Sequence, residues 1–196
     1  MPDTGAPWNI PYVAGTDLVS DWPTDSQTLA EAIADGLDVA GLGIGSNIVQ
    51  AVKTDTFTTT SATFVDITGL SATITPSATS SKVLIIAGIA TSITAGSPGF
   101  LRLTGGNSSA FVGDTAGSRT LCIQAVYDTD DNGFALEGFP LIYLDSPATT
   151  SATTYKVQGA VTGSRTLGIN HRPAADADAS TTPRGASSLI VVEVAG

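Results

Sequence analysis

Thr154-Tyr155-Lys156-Val157-Gln158 exchanges polar and apolar residues at every step, and Thr63-Phe64-Val65-Asp66-Ile67 carries a similar exchange. Successive side chains of a β-strand point to opposite faces, so this period marks half-buried strands. Beyond about Ile48 the chain is built of Thr, Ser, Ala, Val and Ile, of which Thr, Val and Ile favour pleated, half-buried surfaces. Strands are predicted over residues 48–53, 62–67, 70–75, 82–91, 100–103, 109–113, 119–127, 139–144, 153–160, 166–169 and 188–194. Turn clusters separate them, among them Thr75-Pro76-Ser77, Ser97-Pro98-Gly99, Gly105-Gly106-Asn107 and Asp131-Asn132-Gly133. Many short strands without intervening helices predict a mostly β fold, an antiparallel β-sandwich resembling a jelly roll over residues 48–196. The last strand runs almost to the terminus and is expected to pair inside a sheet.

Two short strings recur. Gly117-Ser118-Arg119-Thr120-Leu121 returns as Gly163-Ser164-Arg165-Thr166-Leu167, and Thr59-Thr60-Ser61-Ala62-Thr63 returns as Thr149-Thr150-Ser151-Ala152-Thr153. Each places a turn of small residues before a strand, as equivalent turns in two sheets would. Residues 174–183 have no strand pattern and are expected to form an exposed loop.

The first part of the chain is different. Pro2, Pro7, Pro11 and Pro23 fall within residues 1–23. Proline lacks an amide donor and biases its predecessor to extended geometry, so this segment is expected to be an extended docking arm. Trp8, Ile10, Tyr12, Leu18, Val19 and Trp22 are its candidate anchors, including both tryptophans. Folding back onto its own β domain is the alternative. Residues 24–47 read as a short helix followed by a glycine joint. Leu29, Ile33 and Leu37 fall at i, i+4 and i+8, one helical stripe. At about 13 residues and roughly 20 Å, such a helix is marginal alone in water and needs a partner surface. That surface is the β domain or the same helix in other copies. Gly41-Leu42-Gly43-Ile44-Gly45 has glycine spacing like a dinucleotide loop, but a helix precedes it and a strand follows, the reverse of that motif. The break suggests a protein held by its N-terminus with its C-terminus facing outward.

Composition narrows the function. The chain has 196 residues, one ordinary domain plus an extension. Eight basic residues against 18 acidic ones give a net charge of −10, which argues against a broad basic patch for nucleic acid. Charged residues are only 13% of the chain and mean hydropathy is +0.23, which suggests surface buried between copies. The longest apolar stretch, residues 83–93, is about half of the ~20 residues a membrane span needs. Met1-Pro2-Asp3-Thr4-Gly5 has no signal-peptide character, so synthesis in a cytoplasm is expected.

Candidate chemistry is sparse. Cys122 is the single cysteine, in the apolar run Leu121-Cys122-Ile123, and reads as a buried inert thiol. His171 is the single histidine; no serine stands out as its nucleophile, and it reads as a strand-end surface residue. Most acids lie in polar loops, not in the buried pair that glycoside hydrolysis needs. Asp128-Thr129-Asp130-Asp131-Asn132-Gly133 matches the opening of a calcium loop, with Asp128, Asp130 and Asn132 as ligands, but Phe139 stands where the bidentate Glu belongs. An Asn-Gly hairpin turn explains the same string. Calcium is the one cofactor the sequence suggests, and no enzymatic constellation is expected.

Trp8-Asn9-Ile10-Pro11-Tyr12, then Asp17-Leu18-Val19 and Asp21-Trp22-Pro23, then Leu29-Ala30-Glu31-Ala32-Ile33 resemble the N-terminal segment of small virion proteins of tailed bacteriophages, of the minor tail or fibre type. Phe57 to Leu70, Ile74-Thr75-Pro76-Ser77, Ser81-Lys82-Val83-Leu84-Ile85, Leu144-Asp145-Ser146-Pro147-Ala148 and Ser187 to Glu193 are similar to β domains of phage fibre and head-appendage proteins. The resemblance covers most of the chain and is more specific to the virion than to a position in it. It implies a homotrimer docked on a capsid or tail by its N-terminus, with a tail fibre that contacts a host-surface glycan or protein, or a head fibre or capsid decoration protein. A bacterial carbohydrate-binding or adhesive β-sandwich is the reading of another class.

Overall fold

The computed structural model describes residues 27–30, 47–94, 96–127, 136–174 and 176–196. The chain divides into two compact units, residues 1–46 and 47–196. In the first, residues 27–30 are helical and Leu29 is half-buried. Ile33, Leu37 and the arm residues Trp8, Ile10, Tyr12, Leu18, Val19 and Trp22 lie outside the described residues.

The second unit is mostly β. Its strands are β1 (Ile48–Lys53), β2 (Phe57–Thr59), β3 (Val65–Ile74), β4 (Lys82–Ile93), β5 (Gly99–Thr104), β6 (Gln124–Val126), β7 (Glu137–Asp145), β8 (Thr153–Val161), β9 (Leu167–Ile169) and β10 (Ser187–Val194). The pairs β1·β10, β3·β8, β4·β7 and β5·β6 are antiparallel and nested, as in one long hairpin. Rolling that hairpin produces two facing sheets, β1-β10-β4-β7 and β3-β8-β5-β6. This is the jelly-roll sandwich the strand pattern predicts.

Two strands of the first sheet are interrupted. Thr91 pairs with Glu137 of β7 on one edge and with Ile169 of β9 on the other, so β9 and β10 share an edge of β4. They are two halves of one strand, separated by an excursion over residues 170–186. β1 and β2 run beside them as a second broken strand. Asn170 mends both breaks. Its backbone amide donates to the Ala90 carbonyl, and its carbonyl accepts from Gly185. Its side chain donates to the carbonyls of Lys53 and Asp55 and accepts from the Ser187 hydroxyl. It adopts φ of 65°, a left-handed conformation that asparagine tolerates better than most residues.

The core lies between the sheets. Ile67, Leu70 and Ile74 of β3, Tyr155 and Val157 of β8, and Leu101 and Leu103 of β5 face Val83, Ile85 and Ile89 of β4, Leu141 of β7, and Leu189 and Val191 of β10. Two carboxylates close one end of this core. Asp145 accepts from the Tyr155 hydroxyl at 2.7 Å and from the Asn107 amide. Glu193 accepts from the amide and hydroxyl of Ser77 and from Asn47.

Several expectations change. Residues 62–67 and 70–75 are not two strands but one, β3, with a register shift between Asp66 and Ser71 where Gly69 takes φ of 88°; a glycine bulge bends a strand without ending it. Residues 109–113 form no strand; a 3₁₀ turn occupies Ser108–Ala110, held by the Ser108 hydroxyl on the Gly105 carbonyl. Only Gln124–Val126 of the predicted 119–127 strand pairs. The C-terminus does not face away from the point where the chain joins the β domain. Ile48 pairs with Val192, and the Glu193 amide donates to the Asn47 carbonyl, so both lie at one pole. The opposite pole carries the turns around residues 54–64, 96–98 and 162–166.

Candidate interaction surface

Strand alternation sends every second residue of the β1-β10-β4-β7 sheet outward, and cross-strand register sets those residues in rows. One row is Ile48, Val192, Leu84 and Leu144; the next is Gln50, Ile190, Ile86 and Ile142; the third is Val52, Ser188, Gly88 and Pro140. Two aliphatic ridges therefore lie beside a lane of smaller residues. Ile142 is 60% exposed, Val52 58% and Ile48 51%. Among the described residues of these four strands, Lys82 and Gln50 are the strongly polar ones that point outward on this face. The excursion bounds it at one end: a Cβ on Gly168 would strike Pro173 and the His171 carbonyl, and Ser92 beneath is buried.

The outer face of the other sheet is built from opposite chemistry. Lys156 and Gln158 of β8 both donate to the Asp66 carboxylate of β3, at 2.7 and 2.6 Å. These donors, Lys156 foremost, hold the Asp66 carboxyl below the usual range. Arg102 of β5 donates to Gln158 and lies 4.1 Å over the Phe64 ring, and the hydroxyls of Thr73 and Thr154 meet at 2.8 Å. Polar groups satisfied in this way need no covering partner; a bare aliphatic face does.

The predicted chemical residues are dispersed. His171 is not a surface histidine: it is 6% exposed, at the root of the excursion beside Asn170. Its Nδ1 stands 3.2 Å from the Asp176 carboxylate without hydrogen-bond alignment, and Arg184 holds that carboxylate at 2.7 Å. Among the described residues no serine hydrogen-bonds to the imidazole. Cys122 is half-buried, not buried, and burial pushes its thiol up. Tyr155 is buried in the core and Tyr143 packs against it, whereas Tyr127 is 52% exposed. Asp128, Asp130 and Asn132 lie outside the described residues. Among the described residues no three His, Cys, Asp or Glu side chains gather as metal ligands, and no helix is long and apolar enough to cross a membrane.

The Thr59 and Thr149 strings form matching turns, but before β3 and β8, neighbours in one sheet and not strands of two, and Leu167 opens β9 while Leu121 lies outside any strand. Thr59 Oγ1 accepts from the Ser61 amide before β3, and Thr149 Oγ1 from the Ser151 amide before β8. Gly117 and Gly163 both take positive φ. The residues that sequence reading missed are those of the aliphatic face. Their signal is present in Val83-Leu84-Ile85-Ile86 and Leu189-Ile190-Val191-Val192, which are apolar on both faces. The chain matches no protein-family model and no curated protein sequence.

Proposed function

We propose that this chain is a structural, non-enzymatic protein of a bacteriophage virion: a homotrimeric appendage attached through residues 1–23, of the tail-fibre or minor-tail type. The observation that carries the reading is the aliphatic outer face of the jelly roll. A face this free of charge, on a chain with net charge −10, suits an assembly module better than a lone soluble domain. The N-terminal strings that resemble phage virion proteins supply the site of assembly. With Asn47 and Gly196 at one pole, the turns of the opposite pole are the part free to meet a host-surface glycan or protein. Synthesis takes place in the host cytoplasm, and nucleic acid and membrane are not partners. Capsid decoration or a head fibre is the alternative within the virion.

Deleting residues 1–23 tests the attachment. The truncated chain is expected to keep its β-type circular dichroism and to be absent from purified particles. Particles that still carry it would refute N-terminal docking.

A carbohydrate-binding β-sandwich is the second reading. It is favoured by the exposed Tyr127 ring and by the half-exposed Phe111 ring stacked 4.5 Å from Tyr143, since aromatic faces are common sugar platforms. A glycan array with a defined ligand, lost in Tyr127→Ala or Phe111→Ala, would select it.

A further inference from the structure

We infer that the outer face of the β1-β10-β4-β7 sheet is the contact between copies of this chain around the trimer axis, with the polar β3-β8-β5-β6 face outward. The inference deepens the self-association proposed above and rests on it. The occupant is a second copy for three reasons. The first is shape. The ridge Gln50–Ile190–Ile86–Ile142 runs beside the lane Val52–Ser188–Gly88–Pro140, and a Cβ on Gly88 would meet nothing within 4 Å. A ridge beside an open lane lets the ridge of one copy seat in the lane of the next, the contact of unlike patches that a closed ring of copies requires.

The second is charge. Two chains at −10 repel unless they meet where charge is absent, and the three rows carry no acidic residue. The third is size. Four strands about 4.8 Å apart, over about six residues at 3.3 Å each, give roughly 400 Å² in projection. That is about half of the ~800 Å² each partner gives a standard interface, before the relief of the side chains and the rims at β1 and β7 are added.

The test is the mass of the full-length chain by light scattering at micromolar concentration. The wild type is compared with Ile142→Lys, Gly88→Lys and, as a control on the other sheet, Ala125→Lys. Gly88→Lys enters open space and has no positive-φ strain, so it reports on the interface even where Ile142→Lys disturbs the fold. Expected is a wild-type mass of three chains that falls to one chain in Gly88→Lys and Ile142→Lys, with unchanged circular dichroism, and stays at three in Ala125→Lys. An oligomeric wild type whose mass survives both substitutions overturns the interface but leaves the self-associating reading standing, with contacts elsewhere. A monomeric wild type overturns both and leaves residues 1–46 of the same chain, or a foreign partner, as the occupant.

Discussion

Replacing Glu193 by glutamine should remove a pH-dependent latch. Glu193 Oε1 accepts from the Ser77 amide at 2.6 Å and the Ser77 hydroxyl at 2.5 Å, and Oε2 from Asn47 at 3.0 Å. Burial alone would raise its carboxyl, but donation from Ser77, Ser81 and Asn47 outweighs it and holds the group down at about 2, from an ordinary 4.5. At about 1.36 kcal/mol per pH unit this drop sets a ceiling of roughly 3 kcal/mol. Glu193 stands at the rim of the sandwich near water, so about 2 kcal/mol is the working figure. Because the folded value lies below the unfolded one, the stabilisation is complete above pH 4.5 and is lost as pH falls toward 2. For a domain of this size about 2 kcal/mol is roughly 4–8 °C in Tm. Thermal melts of both proteins, at one fixed concentration, from pH 7 to pH 2 would measure it. The gap between wild type and Glu193→Gln should be full at pH 7 and closed near pH 2. A gap that is absent at pH 7, or unchanged across the range, refutes the reasoning.

Asn170→Ala should cost about 3 kcal/mol, from lost hydrogen bonds and a left-handed backbone that alanine resists. Asn170→Gly should recover the backbone part only, so denaturant melts of the two separate the contributions. Tyr155→Phe should cost about 1–3 kcal/mol by removing the hydroxyl that meets the buried Asp145 carboxylate; burial, then Asp145, push the Tyr155 phenol up, so its loss should act equally at pH 7 and pH 9. Asp66→Asn, on the exposed polar face, should change stability by less than about 1 kcal/mol, and less again at high salt. A larger effect in a salt-dependent melt would mean that this face is covered.

The fold was largely legible because strand alternation is local. Thr154 to Gln158 announces β8 directly, and the apolar run ending at Val194 announces a strand that lies inside its sheet. Failures came where local pattern and geometry part. Gly69 looks like a strand end and is a bulge. Ser109 to Gly113 has a strand's composition, but the Ser108 hydroxyl turns the chain. His171 looked exposed because nothing in its neighbours tells that the chain folds over Gly168 and Ser92. The aliphatic face was half visible: β4 and β10 are apolar on both sides, but only the nested pairing brings Ile48 and Ile142, remote in sequence, onto the same surface.

The shared pole of Asn47 and Gly196 has a practical meaning. Ser80 donates to the Gly196 carbonyl at 3.1 Å, and Asn47 reaches Thr75 and Glu193 around the same loop. A domain whose two ends are neighbours behaves as a cassette. It can be spliced into a surface loop of a carrier protein with short linkers and without prying that loop apart. The turns of its far pole would then be presented outward, ready for grafted sequences.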